Sequence, residues 1–191
     1  MNSLPSLDPI LLSAINASSI TSSFVVDDTG SFVNDAGNSR GIGNQSDLEL
    51  LKALRAKSEV VLTSGLTARA EGYKMPRHAD LAIFTARGVT QLGLKPRAGQ
   101  KLQILSPPLI ASYLDSLQAL KTQYQSIHVE FGPRGAMAVS SEIDMFVLSS
   151  KTQAGIDIFV ERLDLVPTAS FELPDLSITL AVGRGKALNQ S

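Results

Sequence analysis

The 191 residues include no cysteine. That excludes disulfides, thiol nucleophiles, thiolate zinc sites and iron–sulfur clusters. There is no tryptophan, and aromatic residues make up only 5% of the chain, which disfavours a base-stacking platform for nucleic acid. Neither sign of charge is in excess: 17 Lys and Arg stand against 18 Asp and Glu, a formal charge of −1. No basic surplus points to nucleic acid or to an anionic membrane. No apolar run approaches the ~18 residues of a membrane helix. The N-terminus lacks the basic segment that opens a signal peptide. The only two histidines, His78 and His128, argue with the missing cysteines against a zinc hydrolase. G-x-G-x-x-G after the first strand, G-x-x-x-x-G-K-[ST] and G-x-S-x-G are all absent. A soluble cytoplasmic chain is the expectation, and its length suits one domain of ~100–200 residues.

The most informative stretch runs from Ser58 to Tyr73. Val60 to Leu62 is an apolar run that ends in Thr63-Ser64-Gly65, followed by a polar segment with Thr67, Arg69 and Glu71. The order predicts a buried strand opening onto a turn. Gly65, without a Cβ, would let the backbone approach a ligand closely. Two other strand ends follow the same plan: Thr85-Ala-Arg87-Gly88 after Leu81–Phe84, and Glu130-Phe-Gly132-Pro133-Arg134-Gly135 after Ile127–Val129. In parallel strands these ends sit side by side and offer N–H donors, hydroxyls and cations to a phosphorylated nucleotide.

The remaining chain reads as alternating strand and helix, which implies parallel crossovers. Ser6 to Leu12 predicts a short capped helix outside the main core or at its edge. Ser19–Val26 predicts a strand, Asp27-Asp28-Thr-Gly30 a turn, Ser31–Val33 a short returning strand, and Asn34–Asn44 a long loop. Ser46 and Glu49 form a capping box before a stripe of Leu48, Leu51 and Leu54, with Leu50 beside it. Lys101–Leu105 reads as a strand, and Ser106-Pro-Pro as the start of a helix over Leu109–Gln123. Gly132–Gly135 reads as a glycine turn with a shortened helix from Ala136. Ile143–Leu148, Asp157–Arg162, Thr168–Leu173 and Ser177–Val182 have strand composition, the last ones as hairpins on a sheet edge. Glu130 alternates with Val129 and Phe131 at a strand end, where a carboxylate is costly unless it bonds something. Asp27, Asp28 and Glu130 are candidate general acids, and none is singled out.

Asn38-Ser39-Arg40, then Ser46-Asp47 with a Leu-rich helix ending Leu-Arg-Ala56, then Val60 to Glu71, then Glu130 to Pro133 occur in an order that resembles the pyrimidine reductase family. This is the reductase domain of bacterial riboflavin biosynthesis. The resemblance spans roughly residues 18–150 and is densest over 46–73. It implies a dihydrofolate-reductase-like α/β fold: a mixed, mostly parallel central sheet flanked by helices, with C-terminal antiparallel strands. Residues 1–191 would form a single reductase-like domain, with 1–17 as a helical extension. It implies NADPH as cofactor, a ribosylaminopyrimidine phosphate or related heterocycle as substrate, and a homodimer. Gly65, Thr67, Glu71, Thr85, Arg87 and the turn Gly132, Pro133, Arg134, Gly135 and Ala136 would lie against the cofactor. Ser39, Arg77 and Glu130 would face the substrate. Phe131 stands where the family has glycine, and Val25-Val-Asp-Asp-Thr-Gly30 replaces its Ser-x-Asp-Gly. A non-catalytic NADPH-binding protein on the same scaffold, or a dihydrofolate reductase proper, are the alternatives.

Overall fold

The computed structural model describes residues 8–87 and 92–187. Its elements run α1 (Pro9–Ala17), β1 (Ile20–Val26), α2 (Gln45–Lys57), β2 (Val60–Ser64), α3 (Gly65–Glu71), β3 (Asp80–Phe84), β4 (Leu102–Leu105), α4 (Tyr113–Lys121), β5 (Ile127–Glu130), α5 (Pro133–Ala138), β6 (Met145–Ser150), α6 (Gln153–Arg162), β7 (Leu165–Leu173), β8 (Leu176–Gly183) and α7 (Arg184–Ala187). They fall into two compact units, 1–54 with 140–191, and 55–139.

In the first unit β1 pairs parallel with β6, and β8 lies antiparallel between β6 and β7. Every residue of β6 and β8 is buried. Their core joins Met145, Val147, Leu176, Ile178 and Leu180 to Leu50 and Leu54 of α2 and to Leu11 and Ile15 of α1. The first helix therefore belongs to a core and not to its edge. Leu11 and Ile15, four apart, share one helix face that is withdrawn from water, while Ile10 is exposed. Asp8 caps this helix by accepting from the Ile10 N–H at 2.7 Å; Ser6 lies outside the described residues.

In the second unit β2 lies between β3 and β5, and β4 flanks β3, with every pairing parallel. Val60–Ser64 is buried along its whole length, as an apolar run covered on both faces must be. Four of the six pairings within the units are parallel, and the antiparallel ones are C-terminal.

Several local expectations are corrected. Asp157–Arg162 is helical, within α6: Ile156 and Phe159 repeat at helical spacing toward the core, and Gly155 packs on the Asp27 carbonyl, where a Cβ would collide. Ser31–Val33 forms no strand; the Ser31 hydroxyl bonds the Val33 carbonyl at 2.7 Å, closing a local turn instead. The second helix starts two residues earlier than the Ser46/Glu49 box allows. Asn44 accepts from the Asp47 N–H at 2.9 Å, and Ser46 turns away to Asp175. Leu50 and Leu54 carry its buried face, and Leu48 is exposed. The helix after β4 begins at Tyr113, because Ser112 supplies the cap to the Asp115 N–H. Gly132–Gly135 is no free turn: α5 starts at Pro133, whose ring suits the first helical position.

Candidate functional site

Register decides where the strand ends lie. Ser64 is level with Phe84, Phe84 with Leu105, and Thr63 with both Ile83 and Glu130. The segments that leave β2, β3 and β5 therefore emerge in a row at one edge of the second unit. Gly65 and Thr67, Thr85 and Arg87, and Gly132 to Ala136 are brought to that edge; Gly88 lies outside the described residues. Glu71 sits at the far end of α3, ~9 Å along the helix from Gly65. Arg77 is exposed and precedes β3, toward the amino ends of the strands. Ser39 lies in the Asn34–Asn44 loop of the first unit, half-buried, its carbonyl accepting from the Ile42 N–H at 3.1 Å.

The turn out of β2 is tightly built. Ser64 accepts from the Thr67 N–H at 3.0 Å, and the two hydroxyls share a hydrogen bond at 2.9 Å. Gly65 has no room for a side chain, because an added Cβ would collide with Thr85 Oγ1 and stand 2.6 Å from its Cβ. Its missing side chain serves strand packing. The Thr85 hydroxyl is committed to its own loop, donating to the Arg87 carbonyl at 2.6 Å and accepting from the Arg87 N–H at 3.1 Å. That leaves the Arg87 side chain exposed. Gly132 caps α5 without a side-chain bond, and open space lies where its Cβ would be.

Phe131, the bulky departure, is accommodated against Gly135 of that segment. It is buried and meets Tyr113 edge-on at 4.8 Å, and Tyr113 meets Phe84 at 5.2 Å. Gly135 makes the room, since a Cβ there would come within 2.8 Å of Phe131 Cβ and 2.9 Å of Tyr113 Cε1.

Glu130 is the electrostatic centre of the unit and is 9% exposed. Arg55 grips it in a fork, Nε donating to Oε1 and Nη2 to Oε2, both at 2.6 Å. The Tyr73 hydroxyl also donates to Oε2, and His128 Nε2 lies 3.5 Å from Oε1. A carboxylate offers about four acceptor positions, and Arg55 and Tyr73 use three of them. The Arg55 guanidinium also lies 5.3 Å from the centre of the Tyr73 ring. Burial pulls the Arg55 pKa down, but the Glu130 carboxylate beside it, its hydrogen bond and Glu71 more than offset that, so the net shift is upward. His128 is fully buried, and burial together with the positive charges of Arg55 and Lys57 lowers its pKa to about 3. It is a neutral imidazole at ordinary pH. Sequence reasoning placed Glu130 but not Arg55, Tyr73 or His128 around it; the sole advance signal was the alternation that puts His128 and Glu130 on one strand face.

In the first unit Asp27 holds its own turn. Its Oδ1 accepts from the Thr29 hydroxyl at 2.7 Å and from the Thr29 and Ser31 N–H groups, each at 2.9 Å. The Thr29 hydroxyl bond is the main cause that keeps its pKa below the usual value, against the opposing effect of burial. Asp28 is exposed. Asp47 is different. Burial raises its pKa, partly opposed by the Ser149 hydroxyl, which donates to Oδ1 at 2.5 Å. A carboxylate with a raised folded pKa binds its proton more tightly in the folded chain. Its contribution to stability therefore falls as pH rises from the unfolded value of 3.8 through the folded one. Asp47→Asn removes that loss and keeps an acceptor for Ser149. The variant's melting temperature should gain on the wild type as pH rises through that window and hold the gain above it; a difference that does not change across the window would show that Asp47 is not the strained group.

Among the described residues no cluster of three or more His, Asp and Glu is arranged to hold a metal ion, and no helix is long and apolar enough to cross a membrane. No protein-family model and no curated protein matches the chain. Solved structures do. A pyrimidine reductase-like protein from Corynebacterium diphtheriae is 17% identical, with 90% of this chain and 94% of that one covered at a TM-score of 0.61. Dihydrofolate reductase from Enterococcus faecalis, solved with NADP(H), is 10% identical, with 85% and 95% covered at a TM-score of 0.54.

The fold is dihydrofolate-reductase-like.

A third match, the Thermotoga maritima diaminohydroxyphosphoribosylaminopyrimidine deaminase/5-amino-6-(5-phosphoribosylamino)uracil reductase, is 12% identical at a TM-score of 0.59. The match covers 86% of this chain and 56% of that one, so this chain spans just over half the length of the bifunctional protein. The dihydrofolate-reductase-like fold agrees with the resemblance drawn from motif order.

Proposed function

We propose that the chain is an NADPH-dependent oxidoreductase that reduces a ribosylaminopyrimidine phosphate or a related heterocycle, as in riboflavin biosynthesis. The observation that carries this reading is the row of level strand ends in the second unit, in a dihydrofolate-reductase-like fold. Carboxyl ends of parallel strands are where such sheets take nucleotides. The residues present fit the cofactor. Gly132 leaves open space above an uncapped turn, Thr67 lies in the first turn after β2, and Arg87 and Arg134 are exposed cations. In this reading Arg87 pairs with the 2′-phosphate and the Gly132–Ala136 segment receives the pyrophosphate. The bound nicotinamide supplies the hydride; the chain supplies binding and orientation. The whole chain then works as one reductase-like domain, as a cytoplasmic homodimer.

Calorimetry with NADPH and NADH tests the proposal. Micromolar binding with NADPH preferred is expected, and a folded chain that binds neither overturns it. Arg87→Ala should narrow the NADPH:NADH affinity ratio by on the order of tenfold. An unaltered ratio removes Arg87 from the phosphate.

One observation favours a second reading, a non-catalytic NADPH-binding protein on the same scaffold. Glu130 has its oxygens engaged by Arg55 and Tyr73 and is not open to a substrate. Turnover of an aminopyrimidine ribotide by the purified chain separates the two.

A further inference from the structure

Tyr73 follows α3 through a Schellman ending. Gly72 adopts φ 60°, its N–H bonds the Arg69 carbonyl at 3.3 Å, and the Tyr73 N–H bonds the Ala68 carbonyl at 2.9 Å. This ties the Tyr73 backbone to the helix, and its ring packs against the cluster of Val61, Ala68, Leu81 and Ile83. The hydroxyl, at the far end of that ring, is held by Glu130, which Arg55 locks in place. Glu71, the last residue of α3, adds its charge to the same Arg55. The C-terminal end of a seven-residue helix is thus tethered to a partly buried ion pair at the end of β5. A helix this short has little stability of its own. Its orientation comes from the burial of Ala68 and from its attachments, Ser64 at one end and Tyr73 at the other.

We propose that Tyr73 is a positioning residue, which acts through the Arg55–Glu130 pair to fix the helix carrying Thr67 and so sets the affinity for the nicotinamide cofactor. This rests on the cofactor reading above. Tyr73→Phe keeps the ring, its packing and its place near Arg55, and deletes only the hydroxyl bond. In the full-length variant the melting temperature should fall by only about 3–6 °C, with the cooperative transition kept. The dissociation constant for NADPH should rise on the order of tenfold, since a hydrogen bond to a charged group is lost. In the double variant with Glu130→Gln the two effects on affinity should be strongly non-additive, because Tyr73 acts only through Glu130. Unchanged affinity in Tyr73→Phe overturns the proposal, as do additive effects. A collapsed melting transition also overturns it, because Tyr73 would then be a keystone of the whole fold. Hydrogen exchange reads the tether without any cofactor. Amides of Thr67 to Tyr73 should exchange several-fold faster in Tyr73→Phe, while those of Val60–Leu62 stay protected. If wild type binds no nicotinamide, the cofactor reading fails; exchange then decides the tether alone, and unchanged exchange sinks it.

Discussion

Arg55→Ala is expected to cost about 3 kcal/mol of stability, the low end of the penalty for stripping a buried charge of its partner, since Glu130 is buried and Arg55 half-buried. In a chain of this size that is a fall of roughly 6–12 °C in melting temperature. The reason is what remains behind. Glu130 is 9% exposed and would be left with only the Tyr73 hydroxyl and a neutral His128 beside it. Glu71 would lose the same cation. The fork geometry matters as well: Arg55→Lys restores charge but not two parallel bonds, and should recover only part of the loss. Salt should change the difference little, because the pair is screened less than surface charges are. Thermal melting of the three proteins checks this. A melting point for Arg55→Ala within about 2 °C of wild type would mean the pair behaves as a surface contact of little worth.

Gly65→Ala should be the most damaging single methyl in the second unit. The added carbon would stand 2.6 Å from Thr85 Cβ and would collide with its Oγ1. Thr85 cannot step aside cheaply, since its hydroxyl makes two bonds to the Arg87 backbone. Relief has to come from moving β3 or the start of α3, and overpacking of this kind costs about 1–3 kcal/mol. On the proposed function the same shift displaces Thr67 and the Arg87 loop together, so NADPH binding should be lost even in molecules that stay folded. Adding Thr85→Gly should return most of the stability, because it removes both atoms in the way. Melting curves and NADPH calorimetry on the single and double variants test the argument. If Gly65→Ala matched wild type in both, the close approach of the two strand ends would be refuted.

These two positions mark the line between local and long-range information. Gly65 was legible as a special position, because a glycine after Thr-Ser at the end of an apolar run marks a backbone that something approaches closely. What approaches it was not legible. A ligand and a neighbouring strand leave the same trace in sequence, and only the parallel register of β2 with β3 sets Thr85 beside it. Glu130 was legible as a carboxylate needing a partner, but Arg55 lies 75 residues away on another element. The same distinction accounts for the misread helix. Asp157–Arg162 taken alone carries Ile158, Phe159 and Val160, which suit a strand. The helical spacing of Ile156 and Phe159 shows only once the fold reveals which of these side chains are buried.

The sequence by itself determined the exclusions, the runs that become β1 to β8, and the order of turn motifs that led to the dihydrofolate-reductase-like fold. Each is a property of neighbouring residues, carried by composition, periodicity or spacing. Tertiary structure alone decided which strand ends stand in a row, that Phe131 packs between Tyr113 and Gly135, and that Tyr73 and Arg55 close on Glu130. Those outcomes depend on register and on side chains far apart in the chain. Their energies exist only after folding has removed them from water.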